Sequence, residues 1–233
     1  MVVGSCGKKK VYDSPAQPLC HDIDERHDIN YWKHRFRSKC KPARDMYTGP
    51  QNVELVKAID ILRTIPWLKV ELAFVSAGFG LLTEDDLVPP YDCSFARMKI
   101  DDVRKRSHEL RIQISFLDLV SKGFDLIYLA LGKRYLVALG KDCLSALQSP
   151  TILFHGSESD YLIRVPCAAN TVKSFSVTGQ RIHGVVGFKG DLLRILVEYA
   201  LDRPNPYMEL KRWTEASYLR KLVYHLGNVA LPL

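Results

Sequence analysis

The sequence has no run approaching the ~18 consecutive apolar residues that a membrane-crossing helix needs, so a membrane span is not expected. Its six cysteines, Cys6, Cys20, Cys40, Cys93, Cys143 and Cys167, contain no C-x-x-C pair, which argues against a zinc ribbon and against a disulfide scaffold. Reduced, packing thiols are expected. No internal repeat or low-complexity linker breaks the chain. The lysine-rich SCGKKK lacks the G-x-x-x-x-G-K-[ST] spacing of a P-loop. In MVVGSCGKKK the charge follows the apolar residues, the wrong order for a secretory signal, and a cytoplasmic protein is expected.

What is present describes a folded chain. Its 233 residues, 47% hydrophobic and 25% charged, suffice for one domain with a normal core. The net charge of +7 and pI near 9.1 favour an anionic partner, a property shared by nucleic-acid binders and by enzymes of small phosphorylated substrates.

The chain is organised around Lys69 to Asp92, KVELAFVSAGFGLLTEDDLVPPYD. Val70, Leu72, Ala73, Phe74 and Val75 form a short apolar run of the length of a buried strand, and Ser76-Ala-Gly-Phe-Gly80 ends it as a turn. Ligands of open α/β sheets bind outside the carboxyl ends of the strands, which makes Ser76, Gly78 and Phe79 candidate pocket residues. Pro89 and Pro90 then stiffen the chain and hold Tyr91 and Asp92. A plain structural turn and surface loop is the alternative.

Met1 to Cys6 repeats the design, a strand that empties into Gly7 and Lys8, Lys9 and Lys10. Cys6 and Gly7 bring backbone N–H groups to a ligand and Lys8 and Lys10 meet phosphate, unless the lysines are only a solvated turn. Phe124 to Ala130 and Thr151 to His155 are further strands, and helical patterns at 53–62, 101–121 and 133–147 alternate with them. That alternation requires a largely parallel sheet of four or five strands covered on both faces. His155 closes its strand where the Ser5 and Ser76 loops also emerge, which makes it a candidate for a catalytic or base-contacting role, beside the structural role that a lone strand-end histidine usually has.

Residues 11–41 read as a charged insertion. His21, Asp22, Asp24, His27, Asp28 and His34 have no recognised metal-ligand spacing and fit a charged loop or exposed helix better. Tyr31, Trp32 and Phe36 among Lys33, Arg35, Arg37 and Lys39 suit a nucleic-acid-facing lid or a small satellite core. Arg44, Asp45 and Tyr47 stand just before a helix as orienting groups, or Arg44 and Asp45 pair at the surface. After residue 170 the same domain continues through a glycine-rich connection with Arg181, His183 and Lys189. A helix from Asp191 to Leu201 follows, its N-terminus fit to receive an anion, and then a basic helical stretch from Tyr207 to Leu226.

Three pieces taken together, SCGKKK, PARDMYTG ahead of a helix, and SAGFGLL followed by PYD, resemble a family of bacterial and phage domains. The family pattern is Ser/Cys-x-x-Lys after a strand, Pro-Ala-Arg-Asp-Leu-Tyr, and Ser-Ala-x-Tyr-Gly-Leu-Leu followed by Pro-Tyr-Asp. The motifs cover roughly residues 1 to 95 and the rest matches only in the order of its elements. The family is similar to uracil-DNA glycosylases in fold and to the lysine-transfer domain of archaeosine synthase, and its members include a glycosylase acting on glucosylated hydroxymethylcytosine in phage DNA. The resemblance implies a three-layer αβα fold and a DNA partner, excision of a modified base to leave an abasic site in anti-phage defence, and no metal or nucleotide cofactor.

Where a uracil-DNA glycosylase has a His-Pro-Ser loop this chain has His155-Gly-Ser157, and its first loop, Ser5 to Lys10, lacks the water-activating carboxylate. Asp92 or Asp45 must therefore supply the base, and Phe79 replaces the family's tyrosine. On this reading His155 contacts the departing base, Tyr47 or Tyr91 stacks or orients, and Lys8, Lys10, Arg44, Ser157, Arg181 and Lys189 hold DNA phosphates. The rival readings are an enzyme that builds a modified base and a non-catalytic nucleic-acid-binding module.

Overall fold

The computed structural model describes residues 1–12, 16–26, 28–177 and 179–227. Eight strands appear among them: β1 (Val2–Ser5), β2 (Lys41–Pro42), β3 (Leu72–Ser76), β4 (Gly80–Thr83), β5 (Leu87–Val88), β6 (Ile127–Leu129), β7 (Thr151–Leu153) and β8 (Leu162–Arg164). The helices before β6 are α1 (Cys20–Arg26), α2 (Ile29–Arg35), α3 (Ala43–Met46), α4 (Pro50–Arg63), α5 (Ile100–Glu109) and α6 (Ile112–Val120). Those after it are α7 (Lys133–Leu139), α8 (Lys141–Ser145), α9 (Ala169–Val177), α10 (Gly184–Leu201), α11 (Pro206–Arg212) and α12 (Ala216–Leu226).

The main sheet has six strands in the order β4-β3-β1-β6-β7-β8, one or two more than the sequence predicts. All are parallel except β4, which turns back on β3 with Ser76 opposite Gly80. The SAGFG turn is thus a hairpin, and Gly80, at φ +82°, opens its second strand. β1, β3, β6 and β7 are buried along their whole length, as strands covered on both faces must be. β2 and β5 form a separate antiparallel ribbon.

The chain moves left from β1 to β3, then right to β6, β7 and β8. Right-handed crossovers then place α4 on one face and α5 to α7 on the other. The contacts agree, since α4 lies against α10 while α5, α6 and α7 lie against one another. α4 and α10 approach so closely that a side chain at Gly190 would collide with the Gln51 backbone, 2.2 Å away. The result is a three-layer αβα fold with a helical C-terminus.

Several long helical patterns divide in two. Arg111, at φ +52°, separates α5 from α6, and Gly140, at φ +82°, separates α7 from α8. The glycine-rich connection is largely helical, for α10 begins at Gly184 and not at Asp191.

The insertion is pinned to the sheet edge. Cys20 and Cys93 form a disulfide across 73 residues with their Cα atoms 4.8 Å apart, which corrects the expectation of reduced thiols at those two positions. Asp92 N–H donates to Pro18 O at 2.9 Å, and Asp24 pairs with Arg106 of α5. Trp32 is buried in the main core, with Tyr31 and Phe36 packed against it, so this aromatic group is neither an open lid nor a separate satellite core. The acids of the segment are also occupied: Asp22 accepts from Leu19 N–H, and Asp28 caps α2. His27 lies outside the described residues.

Candidate functional site

The direction of winding reverses between β1 and β6, and the edge at their carboxyl ends is the place where open α/β sheets bind ligands. The first turn of α4 lies against it. Asn52 donates to Ser5 O at 2.9 Å and Gln51 to Ala130 O at 2.9 Å, so two buried amides satisfy the last carbonyl of β1 and the carbonyl just after β6. Cys6 follows, fully buried, its Sγ 3.2 Å from the hydroxyl of Tyr135, which lies 3.0 Å from Ser94 Oγ.

Beside it runs a chain of hydroxyls. Tyr91 OH is 2.8 Å from Ser76 Oγ and 2.9 Å from Tyr47 OH, and all three residues are buried. Ser76 Oγ accepts from the N–H groups of Gly78 and Phe79 at 3.1 Å, which shapes the turn. Gly78 is required here, because a Cβ would stand 2.8 Å from the Tyr91 ring. Phe79 meets that ring edge-on at 4.9 Å. Burial pushes the Tyr47 and Tyr91 phenols up, so both stay protonated hydrogen-bonding groups.

Lys10 is drawn into this cluster and is only 7% exposed. Its Nζ lies 4.2 Å over the Tyr91 ring and donates to Gly7 O at 3.3 Å. Burial lowers its pKa, while Cys6 and Asp92 work in the other direction. Asp92 itself is exposed, directly after Tyr91.

The other half of the edge is cationic. Lys133 follows β6, His155 follows β7, Arg164 ends β8 beside Leu153, and Lys189 reaches in from α10. Lys189 is 8% exposed and, among the described residues, has no ion-pair partner. Burial lowers its pKa. Burial also lowers that of His155, and Lys189, Lys133 and Arg164 add to the effect, so the imidazole is neutral near pH 7. Three cations from separate elements thus act on the neutral His155, an arrangement that an anion would relieve.

The residues expected from the sequence divide accordingly. Cys6, Gly7, Lys10, Tyr47, Ser76, Gly78, Phe79, Tyr91 and Asp92 come together at the β1/β3 end, and His155 and Lys189 at the β7 end. Lys8 and Ser157 are exposed on the loops leaving β1 and β7, and Arg181 is exposed ahead of α10. Arg44 is a correction. Its guanidinium binds Asp60 at 2.8 Å and Glu84 at 3.1 Å in a network with Arg63, at the amino end of β3, and is not free for phosphate. The Arg44–Asp45 surface pair does not form either, and Asp45 is exposed without a bonded partner among the described residues. Lys10 also departs from expectation, being a buried group within the pocket wall and not a surface hook.

Sequence reasoning missed Gln51, Asn52, Arg106, Tyr135, Lys133 and Arg164. Arg106 belongs by pattern to the wet face of its helix, yet it is buried and bonds Ala77 O and Asp24, holding the Ser76 turn to the insertion. Only the tertiary path of α1 shows this.

Glu54, His183 and Asp191 bring potential ligand atoms within 4.8 Å of one another. Glu54 is already bonded to Lys57 and Arg194, and Asp191 to both the backbone and ring of His183, which makes the group a structural network between α4 and α10. No helix among the described residues is long and apolar enough to cross a membrane. No protein-family model matches the chain, and no curated protein matches it.

Proposed function

We propose that the protein is a DNA glycosylase that hydrolyses the bond between a modified base and its deoxyribose, releasing the base and leaving an abasic site. The observation that carries this reading is the pairing, on one sheet edge, of the exposed carboxylate of Asp92 beside Lys10 with the cations Lys133, Arg164 and Lys189 around the neutral His155. A flipped nucleotide brings a scissile N-glycosidic bond and flanking phosphates into one place, and it needs both kinds of group.

Asp92 activates water or stabilises the positive charge that develops on the sugar. Of the two candidate carboxylates it is favoured over Asp45 because its neighbours Tyr91 and Lys10 belong to the buried cluster. His155, kept neutral, donates a hydrogen bond to the departing base, and the row of cations receives phosphate. Phe79, the part-exposed ring of the Ser76 turn, is the surface against which the base rests, backed by the buried Tyr47–Tyr91 pair. A glucosylated hydroxymethylpyrimidine of phage DNA is the substrate class that the family resemblance suggests.

The test is to incubate the protein, with EDTA present, with matched DNAs carrying cytosine, hydroxymethylcytosine, glucosylated hydroxymethylcytosine or uracil. Abasic sites are then scored by alkaline cleavage and free base by mass spectrometry. Release from one of them supports the reading and names the base. Binding without release from any of them turns the weight to base biosynthesis or simple DNA binding.

A further inference from the structure

The opposite edge of the sheet holds a cleft that the proposed reaction does not use. It opens at the amino ends of β1, β3 and β6, between the turn after α4, the segment leading into β6, and α11, and it encloses about 630 Å³. That volume suits a small-molecule site. Leu62, Leu68, Leu210 and Trp213 give it an apolar interior.

Trp67 and Tyr207 form its lip. Their rings meet edge to face with centroids 4.7 Å apart, yet each residue is 46% exposed. Each follows a proline, Pro66 and Pro206, and Pro206 is the first residue of α11, whose cap Asn205 accepts from Met208 N–H. Tyr207 is thereby held in the first turn of a helix, and its edge-to-face contact with Trp67 orders the two rings against each other.

The charge around the cleft selects the ligand further. Three lysines, Lys69, Lys122 and Lys211, stand against two carboxylates, Glu71 and Asp125. Lys122 and Glu71 pair at 3.4 Å, whereas Lys69 and Lys211 have no ion-pair partner among the described residues. Two free ammonium groups beside an aromatic wall match a flat ring that carries an acid.

We infer that this cleft binds a small planar aromatic anion, its ring seated against Trp67 and Tyr207 and its acid group between Lys69 and Lys211. The site is separate from the candidate DNA edge, being at the other end of the same strands, and does not depend on the glycosylase reading.

A matched pair of probes tests it: 8-anilinonaphthalene-1-sulfonate and its uncharged twin N-phenyl-1-naphthylamine, titrated by fluorescence into the folded protein. The expected result is one equivalent of the sulfonate bound, about tenfold more tightly than the neutral ring, with binding weakened about tenfold in Trp67→Ala. Tyr207→Ala is the second variant, and thermal melting checks that both remain folded. In the double variant Lys69→Met, Lys211→Met the sulfonate should fall to the affinity of the neutral probe, which itself stays unchanged. Equal binding of the two probes by the parent protein, or sulfonate binding that survives both aromatic substitutions, would overturn the inference.

Discussion

The ammonium of Lys10 lies 4.2 Å above the ring of Tyr91, whose hydroxyl is bound in turn by Ser76 and Tyr47. A cation held in the wall of a pocket without a carboxylate bonded to it opposes folding, since burial favours its neutral form.

Lys10→Met should therefore leave stability unchanged or raise it by about 1 kcal/mol near pH 7. The sign follows from the lowered pKa. Below the folded value both states hold the proton and the full penalty is present. As pH rises through that value towards the ordinary lysine range, the folded state releases its proton first and gains stability. Melting curves at pH 7 and pH 9.5 should show the parent protein gaining on the Met variant as pH rises.

Gly78→Ala places a methyl carbon 2.8 Å from the Tyr91 ring and 3.3 Å from Ile23 Cδ1. The ring is buried and bonded, so it cannot swing clear without breaking the contacts to Ser76 and Tyr47. A loss of about 1–3 kcal/mol in stability is expected, with a larger fall in base release than in DNA binding. Denaturant unfolding and the release assay measure the two effects separately.

Much of this edge was legible in the sequence, and the reasons are local. SAGFG and SCGKKK announced themselves because a buried-strand run stops at glycine and polar residues, and the strand-end rule then placed Ser76, Cys6 and His155 on one edge. What stayed hidden depends on long-range packing. Arg44 was misread because its partners Asp60 and Glu84 lie 16 and 40 residues away, and Arg106 because α1 covers a helix face that would otherwise be wet. The Cys20–Cys93 bridge spans 73 residues and has no spacing signature.

That bridge makes its own prediction. Labelling with a thiol reagent under denaturing, non-reducing conditions should modify four cysteines, and six after reduction. Cys20→Ser should lower stability by about 2–4 kcal/mol and loosen the insertion that carries Leu19 against Asp92. Mass spectrometry and thermal melting read these outcomes.

His155 predicts an acid-side effect. Its pKa is lowered by burial and then by Lys189, Lys133 and Arg164, so its contribution to stability is fully present above the ordinary histidine value and is lost as pH falls through the folded one. His155→Gln should flatten the decline of melting temperature between about pH 6.5 and 5. An unchanged decline would remove His155 from the influence of Lys189, Lys133 and Arg164.

The central claim concerns Asp92, and base release is its most direct measure. On the DNA from which the parent protein releases base, Asp92→Asn should bind with similar or greater affinity, since one negative charge is gone, while release falls by about 10²-fold or more. Asp45→Asn should retain release close to the parent rate. Full release by Asp92→Asn, or its loss in Asp45→Asn alone, would contradict the account and move the catalytic carboxylate to α3.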